Sequence, residues 1–311
     1  MSGNEFIEQL VSLIDRTALP AEVDVVRVRR LTKEENEQRL LRLINSVAEG
    51  AGENWRQRDI TYGRDRIMVR LPGPARAAAN GLSGSMVVSR GLAPMEHLIG
   101  ADDRDEVFRD PIRRIAERLE LTQYIGGGEV LRFEKLWRIK AAAADPKGKV
   151  TDPVLCRAVG AFRHVVRDLP VWGAASAVVA TAAQAELDKV QIHARLTMPG
   201  HVDRVRVISP GEAATLVLRQ LSGLMSGNGR QFADAATPTS FQFGYFALGK
   251  RTAQPYLAPA YIAMVEVQGN VEGEPDARLG HVAVVGGGEK DYLQFSRVGS
   301  EAQSDTRPHE G

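Results

Sequence analysis

The chain has 311 residues, of which 43% are hydrophobic and 25% charged, a composition typical of globular proteins with one large domain or two ordinary ones. Its 40 basic residues nearly cancel its 39 acidic residues, so no excess of positive charge predicts nucleic-acid binding. The single cysteine, Cys156, excludes an intrachain disulfide and indicates a reducing compartment.

The N-terminal part is predicted to begin with a helix, followed by a strand and a second helix. Apolar residues at helical spacing over residues 6–14 predict the first helix, with its end near Arg16, and valines over 23–28 predict the strand. The first residues lack the basic and apolar regions of a signal peptide, and no apolar run is long enough to span a membrane. A cytoplasmic location is therefore expected.

Thr32 and Glu35 have the spacing of a capping box, in which each side chain bonds the backbone N–H of the other residue. They predict a helix over 32–49. Alternating apolar residues over 66–71 then predict a half-buried strand.

The next segment is predicted to turn and to enter another strand. Asn80-Gly81 indicates a turn, and 85–89 indicates the strand. The small residues of 75–79 are compatible with either a loop or a short helical turn.

A third helix is predicted over 110–121, with Asp110 as its cap and Pro111 at its first position, where a missing N–H costs nothing. The glycine run 126–128 then indicates a turn, because it lacks the strand-to-helix context of a nucleotide-binding loop.

Residues 129–208 are predicted to be rich in strands, although 155–166 also fits a helix by its period. Ser209 and Glu212 form a second capping box, which predicts a helix over 209–225 that ends at Gly227-Asn228-Gly229. Strands are predicted near 241–245, 260–267 and 279–285, and the glycines 286–288 are predicted to form a poorly ordered turn. Because strands come in runs that follow single helices, we expect an α+β fold of antiparallel sheets, built as repeated helix-plus-strands units with the helices packed on one face.

No motif in the sequence predicts a reaction. No two of the six histidines have the local spacing of a metal pair, and the serine-containing turns lack the nucleophile-elbow pattern. We therefore expect no metal and no cofactor, and the catalytic residues stay undefined. Late aromatic residues on alternating strand positions are typical of a core, but they also fit a ligand pocket together with histidines on strands. The candidate ligand-binding residues are Tyr245, Tyr256, Tyr261, His164, His193 and Trp172.

Three stretches carry a resemblance to a known family: Phe162-Arg-His-Val-Val-Arg-Asp-Leu-Pro-Val-Trp-Gly173, Ile208-Ser-Pro-Gly-Glu-Ala-Ala214, and Gly244-Tyr245 followed by Tyr256-Leu-Ala-Pro-Ala-Tyr261. Through them, residues 157–267 resemble PepSY-like and related extracytoplasmic regulatory domains of bacteria. The resemblance implies a domain that binds or restrains other proteins and has no catalytic residues. A charged, polar connection at 100–106 and a polar C-terminal segment complete the expected organisation: an N-terminal α+β domain over 1–105, a PepSY-like α+β domain over 106–296 and a disordered tail over 297–311.

Three functions remain open from the sequence. The first is a non-catalytic regulatory protein that binds a protein or a small apolar ligand. The second is a cyclase or isomerase of a secondary-metabolite pathway with an apolar pocket, which needs only shape and one or two polar groups. The third is a structural protein that forms a homo-oligomer through exposed strand edges. The arginines at 27, 29 and 30 fit a small nucleic-acid footprint or, as we expect, a solvated strand edge.

Overall fold

The computed structural model describes residues 2–95, 97–98, 104–142, 148, 150, 152–173, 176–182, 185–224, 236–268 and 278–293. Its contacts divide the chain into two compact units. The terminal unit comprises Met1–Val25, His201–Gly244 and Ala258–Gly311, and the central unit comprises Val26–Gly200 and Tyr245–Leu257. The boundary predicted near residue 105 does not coincide with this division, and the predicted tail over 297–311 lies outside the described residues.

The described residues form four α-helices, two short 3-10 helices and fifteen strands. In chain order the elements are α1 (Gly3–Ser12), a 3-10 turn (Arg16–Ala18), β1 (Glu22–Arg27), α2 (Lys33–Ala51), β2 (Asp59–Tyr62), β3 (Arg66–Arg70), β4 (Arg76–Asn80), β5 (Met86–Ser89), β6 (His97–Leu98), α3 (Asp105–Arg118), a 3-10 turn (Leu121–Tyr124), β7 (Val130–Ala141), β8 (Val154–Val166), β9 (Leu169–Gly173), β10 (Ser176–Thr181), β11 (Leu187–Ile192), β12 (Asp203–Arg206), α4 (Pro210–Leu224), β13 (Ala236–Ala247), β14 (Tyr256–Gln268) and β15 (Arg278–Gly286). The predicted α+β class is confirmed.

The central unit is built on an antiparallel sheet in the order β2-β3-β4-β5-β11-β10-β8, with β6, β7 and β9 also paired to β8. Helix α2 packs on β4 and β5, and α3 packs on β7, β8 and β10. The core between helices and sheet includes Leu40, Ile44, Val88 and Val190, all fully buried. The helices thus cover one face of this sheet, as predicted, and its other face is left for polar side chains.

Helix α2 begins as its capping pattern predicts. The Thr32 hydroxyl accepts a bond from the backbone N–H of Glu35, and the Glu35 carboxylate accepts one from the Thr32 N–H. Helix α3 corrects a prediction, because it begins at Asp105 and holds Pro111 in its interior. Phe108 is buried one turn before that proline, and its burial extends the helix toward the N-terminus.

Two segments of ambiguous pattern are strands. Residues 75–79, predicted as a loop or helical turn, lie mostly in β4, and residues 155–166 lie in β8. Alanine is a poor strand former, but small side chains at Ala77 and Ala79 let α2 pack closely on this strand. Burial against a helix therefore overrides the local preference of the alanine run.

In the terminal unit, α1 packs on α4 and α4 packs on β15. The predicted capping box of α4 is confirmed, because the Ser209 hydroxyl and the Glu212 carboxylate each accept the other residue's backbone N–H. Strand β15 pairs antiparallel with β14. The segment Gly227-Asn228-Gly229, predicted to end α4, lies outside the described residues.

The late glycine run was predicted as a poorly ordered turn, and this prediction is wrong. Gly286 ends β15, the Gly287 N–H donates to the Pro259 carbonyl at 2.9 Å, and the Gly287 carbonyl accepts from the Ile208 N–H at 3.0 Å. A Cβ atom at Gly287 would lie 2.8 Å from the ring of Phe243. Glycine is used here because the backbone approaches a packed aromatic side chain closely.

Within the part of the chain that the structure describes, no helix is both long and apolar enough to cross a bilayer.

Candidate ligand-binding face

A concave polar surface lies on the face of the central sheet opposite α2. Two adjoining cavities, of about 390 and about 650 Å³, share Arg66, Ala78, Val87, Gln191 and Lys250 in their linings. We call the combined surface the basic face. Its positively charged residues are Arg66, Arg70, Arg76, Lys189, Lys250 and Arg251, and its negatively charged residues are Asp59 and Asp65.

Strand register places these side chains in rows that cross the sheet. The middle row is largely apolar and consists of mutually paired residues, Thr61, Met68, Ala78, Val87 and Gln191. On one side, the paired residues of the next row are Asp59, Arg70, Arg76, Ser89 and Lys189.

The other side of the middle row is also cationic. It carries Arg66, which pairs across the strands with Asn80, together with Lys250 and Arg251 from the loop after β13. Residues 66 and 70 are four apart along β3, so the two cationic sides are about 13 Å apart at about 3.3 Å per residue. The basic face is thus a shallow groove with an apolar floor and positive charge on both sides.

The positive charges of the basic face outnumber the negative ones by six to two, and of the two carboxylates Asp59 lies opposite Arg70 across the strands. Arg70 and Arg76 lie directly opposite each other on neighbouring strands, an arrangement that destabilises a sheet when the charges are alike. None of the six cationic side chains forms an ion pair with a carboxylate among the described residues. The arrangement therefore favours the binding of an anion.

A buried arginine positions the loop that carries Lys250. The side chain of Arg195 is 1% exposed, and its Nη2 donates to the carbonyls of Leu248, Gly249 and Thr252 at 2.9, 3.1 and 3.0 Å. Burial lowers the pKa of Arg195 to about 10, so the guanidinium stays charged at neutral pH.

Two further contacts hold the same loop. The Ser83 hydroxyl donates to the Lys250 carbonyl, and the buried Gln254 amide accepts from the Leu248 N–H and donates to the Phe246 carbonyl, both at 2.8 Å. These bonds and those of Arg195 fix the backbone from which Lys250 and Arg251 project.

His193, a candidate from the sequence, lines the basic face. Burial lowers its pKa to about 4, and the positive charges of Lys250 and Lys189 act in the same direction. The ring is therefore neutral at pH 7. Its Nε2 lies 3.1 Å from the Gln191 side-chain oxygen, and its buried Nδ1 has no hydrogen-bond partner among the described residues.

His164, a second candidate, is fully buried and contacts a carboxylate. Its Nε2 lies 2.6 Å from Glu129, which also accepts bonds from the Thr197 hydroxyl and the Gly126 N–H. Burial on its own would raise the pKa of Glu129, but the bonds from His164 and Thr197 outweigh it and hold the pKa below its usual value. A Cβ atom at Gly126 would lie 2.6 Å from the Glu129 carboxylate, so the glycine turn is shaped to this cluster.

The aromatic candidates lie elsewhere. Tyr256 lines a separate cavity, Tyr245 is fully buried on β13, and the Trp172 ring lies 4.2 Å from the Arg163 guanidinium. Tyr261 belongs to the terminal unit, where its ring stacks on Phe241 at 5.2 Å and its hydroxyl donates to the Ile208 carbonyl at 2.8 Å. His193 and Tyr256 thus line different cavities, and a ligand-binding role for the six candidates stays a prediction.

The arginines of β3 and β4 were not among the predicted site residues. The alternation of Arg66 and Arg70 with buried Ile67 and Val69 indicates a solvent-facing row. The pairing of that row with Lys189, more than a hundred residues later, is not readable from the local pattern. Among the described residues, no group of three histidine, cysteine, aspartate or glutamate side chains is placed to hold a metal ion.

No family model matches the chain, and no curated protein matches it. Among solved structures, it is similar to an uncharacterized protein from Eubacterium rectale ATCC 33656, with a TM-score of 0.60 and 11% identity over 93% of this chain and 97% of the other. It is also similar to the Bacillus megaterium YpeB C-terminal domain, with a TM-score of 0.35 and 9% identity over 84% of this chain and 95% of that domain. The first similarity shows a shared fold, and the resemblance to PepSY-like domains stays a prediction.

Proposed function

We propose that the protein is a non-catalytic binding protein whose basic face holds an acidic, extended segment of a partner protein. The observation that carries this proposal is the groove itself, in which an apolar row runs between two cationic sides whose charges form no ion pair with a carboxylate among the described residues. An anionic partner would relieve the repulsion between Arg70 and Arg76 and would gain charge-assisted hydrogen bonds.

The geometry of the groove suits an extended peptide. Alternate side chains of an extended chain point to opposite sides, so carboxylates at successive positions would reach both cationic sides. The five strands from β2 to β11 are separated by four spacings, about 19 Å at about 4.8 Å each, which corresponds to about six extended residues. Lys250 and Arg251, on the loop held by Arg195, would close one side over the peptide.

The lining favours a peptide over a single-stranded nucleic acid. Proteins that bind single strands without sequence preference stack the bases on aromatic side chains. The residues that line the two cavities of the basic face include no aromatic side chain other than the His193 ring. His193 is half-buried and is positioned beside Gln191, so it offers no row of stacking platforms.

The test is a titration of the protein with fluorescein-labelled hexaglutamate, followed by anisotropy at low and at physiological salt. Exposed ion pairs contribute about 0.2–1 kcal/mol each, so the loss of three should weaken binding about threefold to a hundredfold. The test variant is R66E/R70E/R76E. The control is R42E/R56E/R114E, which makes the same change in net charge at exposed positions outside the basic face.

The proposal is supported if hexaglutamate binding weakens in the test variant, persists in the control and falls as salt is raised. Equal binding by the two variants would refute it. Tighter binding of oligothymidylate than of hexaglutamate would assign the face to nucleic acid and would also overturn the proposal.

A further inference from the structure

A second cavity of the central unit has a different chemical character. It encloses about 300 Å³ between residues 27–31, the turn 81–84 and residues 253–256. We call it the arginine-rimmed slot. It contains Tyr256 and the arginine cluster at 27, 29 and 30, two features that the proposed function does not use.

The walls of the slot are fixed by backbone pairing. The Val28 N–H donates to the Pro255 carbonyl at 2.8 Å, and Arg27 pairs with Tyr256 across β1 and β14. The third wall is a tight turn, in which the Gly84 N–H donates to the Asn80 carbonyl at 2.9 Å. Because two walls are paired with each other and the third is closed by its own hydrogen bond, the backbone of each wall is fixed before a ligand binds.

The interior of the slot is mostly apolar, and its polar side chains are already occupied. The apolar lining consists of Val28, Leu31, Leu82, Ala253, Pro255 and Tyr256. Both ends of the Gln254 amide bond the backbone, and the Ser83 hydroxyl bonds the Lys250 carbonyl. A ligand body inside the slot therefore meets hydrocarbon and has few free hydrogen-bonding groups to satisfy.

Charge is concentrated at the exposed part of the slot. Arg27, Arg29 and Arg30 are exposed, and Arg29 pairs with Glu35. Arg27 and Arg30 form no ion pair with a carboxylate among the described residues. A guanidinium group offers paired N–H donors that match the two oxygens of a carboxylate.

From these observations we infer that the slot binds a small amphipathic carboxylate, with its apolar body in the slot and its carboxylate on Arg27 and Arg30. Water occupies about 30 Å³ per molecule in the liquid, so the slot holds about ten non-hydrogen atoms. A straight-chain acid of eight carbons has this size. The inference is independent of the acidic-peptide proposal, because none of the residues named here for the slot is one of the six cations of the basic face.

Calorimetric titration of the full chain with octanoate tests the inference. Octanol and octylammonium keep the apolar body but lack the negative charge, and acetate keeps the charge but lacks the body. We expect octanoate to bind at least about tenfold more tightly than each of the three, because charge-assisted bonds and apolar burial are both needed.

Two variants locate the site. R27A/R30A removes the carboxylate partners and should weaken octanoate binding about tenfold or more, whereas R56A/R114A should leave it unchanged. A253W places an indole in the slot and should abolish binding. Tryptophan fluorescence and the thermal unfolding temperature establish that each variant is folded, and hexaglutamate binding should be the same in R27A/R30A as in the wild type.

Octanol that binds as tightly as octanoate would overturn the inference, as would full octanoate affinity in R27A/R30A or in folded A253W. The inference would also be overturned if a peptide with a free C-terminal leucine displaced octanoate and bound more tightly than octanoate does. That result would assign the slot to a protein terminus. None of these results depends on whether the basic face binds hexaglutamate, so the two proposals fail separately.

Discussion

Replacement of Arg195 by methionine tests whether one buried guanidinium holds the loop that carries Lys250. Methionine matches the aliphatic part of the arginine side chain, but it lacks the guanidinium group and donates no hydrogen bond. Arg195 Nη2 has two hydrogens for the three carbonyls of Leu248, Gly249 and Thr252, which corresponds to about two full hydrogen bonds.

Hydrogen bonds to a charged group contribute about 1.5–3 kcal/mol each, so the two are worth about 3–6 kcal/mol. The variant also removes a buried charge and the buried Nη1, which has no partner within the described part of the chain, and this relief offsets part of the loss. We therefore expect Arg195→Met to lower the free energy of unfolding of the central unit by about 3 kcal/mol, near the lower end of that range.

Urea unfolding followed by tryptophan fluorescence measures this loss directly, because Trp55, Trp137 and Trp172 all lie in the central unit. At a slope of about 2 kcal/mol per molar urea, the midpoint should fall by about 1.5 M. The control Arg56→Met changes an exposed arginine and should leave the midpoint unchanged. A shift of about 0.3 M or less for Arg195→Met would refute the assigned role of this guanidinium.

Three further outcomes are expected. Gly160→Ala should destabilise the central unit by about 1–3 kcal/mol in the same urea assay, because its Cβ atom would lie 2.4 Å from the buried Ile112 side chain, whereas Gly127→Ala, with nothing within 4 Å, should be nearly neutral. Glu129→Gln should flatten the acid dependence of stability, because the folded-state pKa of Glu129 is lowered. The contribution of Glu129 to stability is present above its unfolded pKa of about 4.3 and is lost as pH falls through its folded pKa. A parallel loss of stability in wild type and variant between pH 6 and 3 would contradict this. Tyr261→Phe should cost the terminal unit about 1 kcal/mol through loss of the bond to the Ile208 carbonyl, measured by amide hydrogen exchange of β14, and unchanged exchange would show that this bond adds no stability.

Locally encoded features of the fold were predicted well from the sequence. The capping boxes at Thr32 and Ser209 depend on residues three positions apart, so their pattern contains all the information they need. The start of α3 was wrong because a distant contact decides it, namely the burial of Phe108 in the core. The alanine strand β4 was missed for a similar reason, because packing against α2 selects small side chains there.

Most of the candidate site could not be predicted from the sequence. The alternation in β3 shows that Arg66 and Arg70 share an exposed row, but only the register with β4, β5 and β11 shows that Arg76 and Lys189 extend it. Such register depends on strand order, which no local pattern specifies. His193 was named from its place on a strand, and its lowered pKa follows first from burial, to which the charges of Lys250 on a distant loop and of Lys189 on β11 add.

The measurement that tests the central claim most directly is the mapping of backbone amide chemical shifts by NMR during titration with hexaglutamate at low salt. We expect shifts confined to β2, β3, β4, β5, β11 and residues 248–251, which saturate together and disappear as salt is raised. Shifts centred on α2 and α3, shifts spread evenly over exposed arginines, or no saturable shift at all would contradict it.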